Sequence, residues 1–342
     1  VKALVKRTGA RVLQLEDVPD PVPGPEDVVV DVAAVGICGT DVHILNDAYA
    51  HADPLVPGHE LVGRIAAVGE RVEGWSEGQR VVSELHTGAD RDCPICRSGN
   101  PQICPRKRAL GTWIDGGFAE RVKLPAWLLH AVPDGVSDLA ATLVEPAACS
   151  LHGMLERGRI EEGDRVLVAG HGPIGLLGAQ IAQAAGAAQV ILTGRSRKGT
   201  TRLDAARRLG VDVIDSDRED VAARVLELTG GDGVDVAVEA AGSQATVWDC
   251  IGACRPGGRV IVLGLAGRPS IEFPMDLALV RDLDVHFSFS SKDSSWRRVL
   301  DLSAAGRLGD EAFVTHRFDL HEWDEAFAAT AGGQAVKVVL HP

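Results

Sequence analysis

Six short apolar runs, "DRVLVAG", "AQVILTG", "VDVIDS", "VDVAVEAAG", "GRVIVLGL" and "DVHFSFS", recur between about residues 145 and 290 of this 342-residue chain. Most are separated by stretches of helical periodicity such as "IGLLGAQIAQAAG" and "TRLDAARRLG". Alternation of this kind implies a parallel sheet covered by helices, an α/β doubly wound arrangement of six strands. The first run leads into "GHGPIG", which sets Gly170, Gly172 and Gly175 in a G-x-G-x-x-G pattern around Pro173 and Ile174, with a helix directly after. That spacing lets the backbone turn sharply, approach a pyrophosphate and present free N–H groups at a helix N-terminus. A glycine-rich turn also serves packing alone, but its place at the first turn of the alternation favours dinucleotide binding.

Before about residue 145 the rhythm is different. "DVVVDVAAVGIC", "LVGRIAAVG" and "QRVVSEL" read as short strands separated by Gly, Pro and Asp. After 290, "SWRRVLDLSAAGRL" and "HEWDEAFAAT" read as helices and "AVKVVLHP" as a final strand. A chain of this length is long for one core, so two domains are expected. The net charge of −13 argues against a nucleic-acid or membrane-surface partner, because phosphate binding needs a concentrated basic face. No apolar run reaches the ~18 residues that span a bilayer, and the charged opening "VKALVKRTGARVLQLEDVPD" is unlike a signal peptide, so a cytoplasmic protein is expected. Of seven cysteines, Cys93, Cys96 and Cys104 cluster and the rest scatter, a pattern of metal chemistry in a reducing compartment.

A nicotinamide enzyme needs catalytic groups, and the choice here is narrow. The Tyr and Lys spaced four apart that short-chain dehydrogenases use are missing, since the single tyrosine, Tyr49, is followed at that spacing by Asp53. A metal acting as Lewis acid remains. "CGTDVH" crowds Cys38, Thr40, Asp41 and His43 into six residues; His59 and Glu60 follow in "PGHE" and Glu145 in "LVEPAAC". Thiolate and imidazole are good zinc ligands, and a catalytic zinc takes three protein ligands and keeps one position open. Taken singly, a Cys or a His is more often a packed core residue.

Together, "GICGTDVH", "GHELVGRIAAVGERVEGWSEGQRV", "CPICRSGNPQIC", "GTWIDGGFAERV", "LVEPAAC" and "GHGPIG" resemble the zinc-dependent medium-chain dehydrogenases, especially their polyol and threonine dehydrogenase branch, over nearly the whole chain. The resemblance implies a GroES-like catalytic domain over 1–145 with a structural-zinc lobe at about 86–110, a Rossmann domain over 146–290, and a return to the catalytic domain over 291–342. It implies Cys38 and His59 as catalytic zinc ligands, with Glu60 and Glu145 as carboxylates near the metal. Thr40 matches the hydroxyl that takes the substrate's proton, His43 the last base of the relay, and Asp41 a carboxylate behind the ligands. A homodimer or homotetramer acting on a small alcohol or ketone is implied as well.

The cysteine cluster suits a closed structural zinc. The family usually places a fourth cysteine three residues before the first of these, where this chain has Asp90, giving an expected Asp90, Cys93, Cys96 and Cys104 site. Sorbitol dehydrogenases carry an Arg-Tyr pair after the last Rossmann strand, whereas "FSFSSKDSSW" offers serines, Lys292 and Asp293, which disfavours sorbitol itself. A polyol, sugar or cyclitol is expected, an amino alcohol is the alternative, and a non-catalytic dinucleotide-binding zinc protein is the reading from another class. Trp113 and Phe118 are candidate pocket walls, with loop packing an equal reading.

Cofactor choice has its own signal. In NAD enzymes of this fold an acid at the end of the second strand holds the adenine ribose. Here that strand ends in Gly194, followed by Arg195, Ser196, Arg197 and Lys198, a basic run suited to a 2′-phosphate. The bland alternative is a solvated loop, about three residues longer than the usual family turn. NADP(H) is therefore expected over NAD(H).

Overall fold

The computed structural model describes residues 1–197 and 199–342. Two units divide the chain, one of Val1–Glu145 with Lys292–Pro342 and one of Pro146–Ser291.

In the second unit the six apolar runs form β1 (Arg165–Ala169), β2 (Gln189–Gly194), β3 (Asp212–Asp215), β4 (Val234–Glu239), β5 (Cys254–Val262) and β6 (Asp284–Phe287). Every neighbouring pair is parallel, and the spatial order is β3-β2-β1-β4-β5-β6, the doubly wound order expected of a dinucleotide domain. Central strands covered on both faces must be apolar throughout, and Val166, Leu167, Val168 and Ala169 of β1 are wholly buried. Helix α1 (Pro173–Ala184) turns Leu176, Leu177, Ala179, Ile181 and Ala182 inward, the spacing of a buried helix face.

The first unit is built on the long strand Asp27–Gly36. It pairs antiparallel with Glu60–Val68, with Arg121–Pro125 and with Lys337–His341. The strand Val314–Asp319 then adds parallel to Lys337–His341, so the end of the chain completes this sheet. Val28, Val30, Val35, Leu61, Ile65, Val81, Leu124 and Leu340 fill the core beneath it. Trp296, on the helix Asp293–Ala304, stacks on His130 at 5.5 Å between ring centroids and fixes that helix to the unit. Among the described residues, no helix is long and apolar enough to cross a membrane.

Candidate functional site

The strand Asp27–Gly36 and the seven-residue helix Gly39–Leu45 meet at Cys38, which caps the helix in extended conformation. The Cys38 N–H donates to Asp41 Oδ2 at 2.8 Å, closing a capping box that fixes the direction in which the cysteine leaves the strand. The Gly58 N–H donates to Asp41 Oδ1 at 3.3 Å, and this ties the helix to the "PGHE" turn before Glu60–Val68. One buried carboxylate thereby holds both chain segments that carry the candidate ligands.

Cys38, His59 and Glu60 are brought together, with one donor atom from each lying within 4.8 Å of the others. His59 is 5% exposed, and its Nδ1 lies 3.6 Å from Asp41 Oδ1, too far for a hydrogen bond, with no hydrogen-bond partner among the described residues. Burial opposes a charge on His59, yet Asp41, Cys38 and, further down, Glu145 outweigh it and raise its pKa well above the usual imidazole range. Burial likewise pushes the Asp41 carboxyl up, with His59 as the main opposing influence. Thiolate, imidazole and carboxylate are donors that zinc takes, so the gathered Cys38, His59 and Glu60 side chains fit such an ion. Glu145 is buried and acts on the charge of His59, but it stands outside the three-residue cluster. Thr40 Oγ1 is 3.7 Å from Cys38 Sγ, and His43 follows three residues later on the same side of the helix, half-buried.

Lys337 was not visible as part of this site from the sequence. Its buried ammonium pairs with Glu60 and donates to the Ile37 carbonyl at 3.1 Å. Gly36, opposite Glu60 in the sheet, makes the room, because a Cβ there would run into the Glu60 carboxylate and stand 2.6 Å from Lys337 Cε. The signal lay in Lys337 at the start of the final strand, ahead of the apolar Val338, Val339 and Leu340.

Asp90, Cys93, Cys96 and Cys104 also gather, again within 4.8 Å. Cys93 Sγ lies 3.9 Å from Cys104 Sγ and accepts from the Cys96 N–H at 3.4 Å, an N–H to sulfur contact of the kind that supports a thiolate cluster. All seven cysteines are free thiols. Asp90 Oδ1 accepts from the Cys93 and Asp92 N–H groups at 2.8 and 2.9 Å, and Arg106 pairs with its other oxygen. These contacts hold the Asp90 carboxyl well below the usual range, so it stays ionised beside the sulfurs. Burial and the neighbouring sulfurs push the Cys96 thiol up to about 12, as expected where adjacent thiols cannot all ionise without a cation. The donor set fits a closed zinc site.

Phe118 is not a pocket wall: it is fully buried, packs edge-on to Phe327 at 5.9 Å, and lies against Gly58. Its bulk belongs to the core because Gly58 leaves space for it. Trp113 is 42% exposed under the Arg108 guanidinium, the loop-packing reading.

In the second unit β1 passes directly into the glycine turn. Gly170 has φ +135°, and a Cβ there would stand 2.9 Å from the Ala240 backbone after β4. Gly172 caps α1 with open space over its α-carbon, while a Cβ on Gly175 would strike the Gly170 carbonyl. Pro173 takes the first helical position, where no N–H is needed, and Ile174 is half-buried beside it. The turn is thus open on the side a pyrophosphate would approach and closed on the side that packs. At the end of β2 Gly194 is buried; Ser196 N–H donates to Asp215 at 3.1 Å, and Arg197 N–H donates to Asp217 at 2.9 Å. The Arg197 guanidinium pairs loosely with Asp217 at 3.8 Å, whereas Arg195 has no ion pair among the described residues. Lys198 lies outside the described residues. Arg202, at the start of helix α2 (Thr201–Arg208), joins this region through its charge on His171; the linear run of basic residues ended too early to include it.

Comparison with known proteins agrees with this architecture. Residues 24–134 match the alcohol dehydrogenase GroES-like domain and residues 173–305 the zinc-binding dehydrogenase family. A sorbitol dehydrogenase of Halalkalibacterium halodurans is 37% identical, with 100% of this chain and 99% of that protein covered. An L-threonine 3-dehydrogenase of Bacillus licheniformis is 36% identical, with the same coverage of 100% and 99%. Among solved structures, a zinc-binding dehydrogenase from Sinorhizobium meliloti 1021 bound to NADP superimposes with a TM-score of 0.91 at 32% identity, over 100% of this chain and 99% of that one. The chain belongs to the zinc-dependent medium-chain dehydrogenases, in the branch that includes polyol and threonine dehydrogenases.

Proposed function

We propose that this chain interconverts a secondary alcohol of polyol, sugar or cyclitol type and its ketone, with NADP(H) preferred over NAD(H). Cys38, His59 and one of Glu60 and Glu145 hold a catalytic zinc, and Asp90, Cys93, Cys96 and Cys104 hold a structural one. Bound at the first site, zinc supplies the Lewis acidity that eases loss of a hydroxyl proton, and the nicotinamide cofactor supplies a hydride acceptor. Thr40, beside Cys38, takes the hydroxyl proton, and His43, one helical turn on, passes it to solvent. Asp41 anchors the two ligand-bearing segments and keeps His59 oriented.

The observation that carries this reading is the gathering of Cys38, His59 and Glu60 behind one shared carboxylate, with the Thr40 hydroxyl beside Cys38. A scaffold role for zinc would not need Thr40 and His43. The NADP preference is supported by Gly194 in place of an acid and by Arg195 next to it. An amino alcohol is the second reading, favoured by the threonine dehydrogenase relative, whose identity nearly equals that of the sorbitol dehydrogenase. A panel of polyols, sugars, cyclitols and amino alcohols, read by absorbance of the reduced cofactor, separates the two. Turnover of substrates lacking an amine is expected. A strict need for the amine would transfer the assignment to the second reading, and a zinc-loaded protein inert toward the whole panel would contradict both.

A further inference from the structure

Gly194 is a glycine without a backbone reason to be one. It closes β2 in ordinary strand conformation, outside the left-handed region. The reason is His171, the variable residue of the "GHGPIG" turn. A Cβ on Gly194 would run into the His171 ring at Cγ, stand 2.5 Å from Cδ2, and stand 2.8 Å from the His171 Cβ. Rotating the imidazole away would relieve only the first two. The ring is also tethered: His171 Nε2 lies 3.2 Å from the Arg195 carbonyl oxygen and 3.4 Å from the Arg195 nitrogen, bonding one or the other according to tautomer. His171 therefore fills the place that a side chain at position 194 would take, and holds the backbone of the arginine that follows.

We propose that His171 and Gly194 form a paired selectivity element, in which the imidazole closes the acid position and sets Arg195 beside the opening left for a 2′-phosphate. The proposal rests on the NADP preference proposed above and adds the residue that enforces it. Burial, then the charge of Arg202 and more weakly that of Arg195, disfavour a proton on His171, while its bond to the Arg195 backbone and the charge of Asp215 act the other way. Ser196 and Arg197 are bound by Asp215 and Asp217 and serve as anchors of the loop, leaving the reading of the phosphate to His171 and Arg195.

Calorimetric titration with NADP+, NAD+, 2′,5′-ADP and 5′-ADP tests this on the parent, Gly194→Asp, His171→Gly and the double variant, with thermal melts to verify folding. Glycine is used at 171 because the Cβ itself obstructs. The parent should bind NADP+ at least about tenfold more tightly than NAD+. Gly194→Asp alone should lose NADP+ without gaining NAD+, and the double variant should bind NAD+ about tenfold more tightly than that single variant. His171→Gly, which leaves Gly194 untouched, should weaken 2′,5′-ADP severalfold and leave 5′-ADP within about twofold. A parent that prefers NAD+ overturns the NADP reading and this proposal with it. A parent that prefers NADP+, combined with a Gly194→Asp variant that binds NAD+ as well as the double variant, overturns this proposal alone. Unchanged 2′,5′-ADP affinity in His171→Gly does the same.

Discussion

Glu60 and Lys337 lie almost at opposite ends of the chain and share one buried ion pair beside the candidate metal site. A buried pair gives little net stability over apolar residues, but removing one partner strands the other without water or a counter-charge. In the metal-free protein, Lys337→Met should cost about 3–5 kcal/mol in denaturant unfolding, and Lys337→Met with Glu60→Gln should recover much of it. Equal stability of the single variant and the parent would show that Glu60 is satisfied some other way. At this scale the sequence was most informative where ligands are close neighbours. Cys93, Cys96 and Cys104 were grouped by spacing because a short loop leaves few ways to part them, and Cys38, Thr40 and Asp41 share one helix start. Lys337 and Arg202 were missed because their partners meet them only through the folded sheet or a neighbouring helix. Phe118 was misplaced because a small residue elsewhere, Gly58, decides where its ring goes.

The loop around Cys93–Cys104 carries little secondary structure of its own, two single turns at Pro94–Arg97 and Pro101–Ile103, so its order depends on what its side chains bind. Asp90→Ala should release the metal of this loop and lower the thermal midpoint, because a closed zinc site contributes directly to folding. Asp90→Cys should bind the metal more firmly. Retention of full metal content by Asp90→Ala would remove the carboxylate from the ligand set. Elements of the second unit were the most legible in the sequence. All six strands of its sheet stand where the apolar runs place them, and the signal is strongest in the central strands, whose covered faces demand apolar residues. The first unit was less legible: short strands were visible, but Asp27–Gly36 pairs with segments drawn from three distant parts of the chain, and pairing partners leave no local mark.

For the whole molecule, an excess of acidic groups makes stability sensitive to pH where those groups are crowded and poorly hydrated. Asp249 is such a group: burial, and then Asp220, push its carboxyl up to about 6. A carboxyl raised in the folded state adds stability when protonated, present below the unfolded value near 4 and lost as pH rises through about 6. Asp249→Asn should therefore stabilise the protein at pH 8 and have little effect at pH 4. Solvent at this half-buried position holds the gain to about 1 kcal/mol. A gain of the same size at both pH values would point to a packing effect instead.

Zinc content and turnover, measured together on the purified parent and on Cys38→Ala, test the assignment of the catalytic centre most directly. The parent should hold about two zinc ions per chain and Cys38→Ala about one, with nearly all alcohol oxidation lost and dinucleotide binding retained, because the glycine turn belongs to the other unit. Full turnover in Cys38→Ala, or in parent protein stripped of metal, would contradict it.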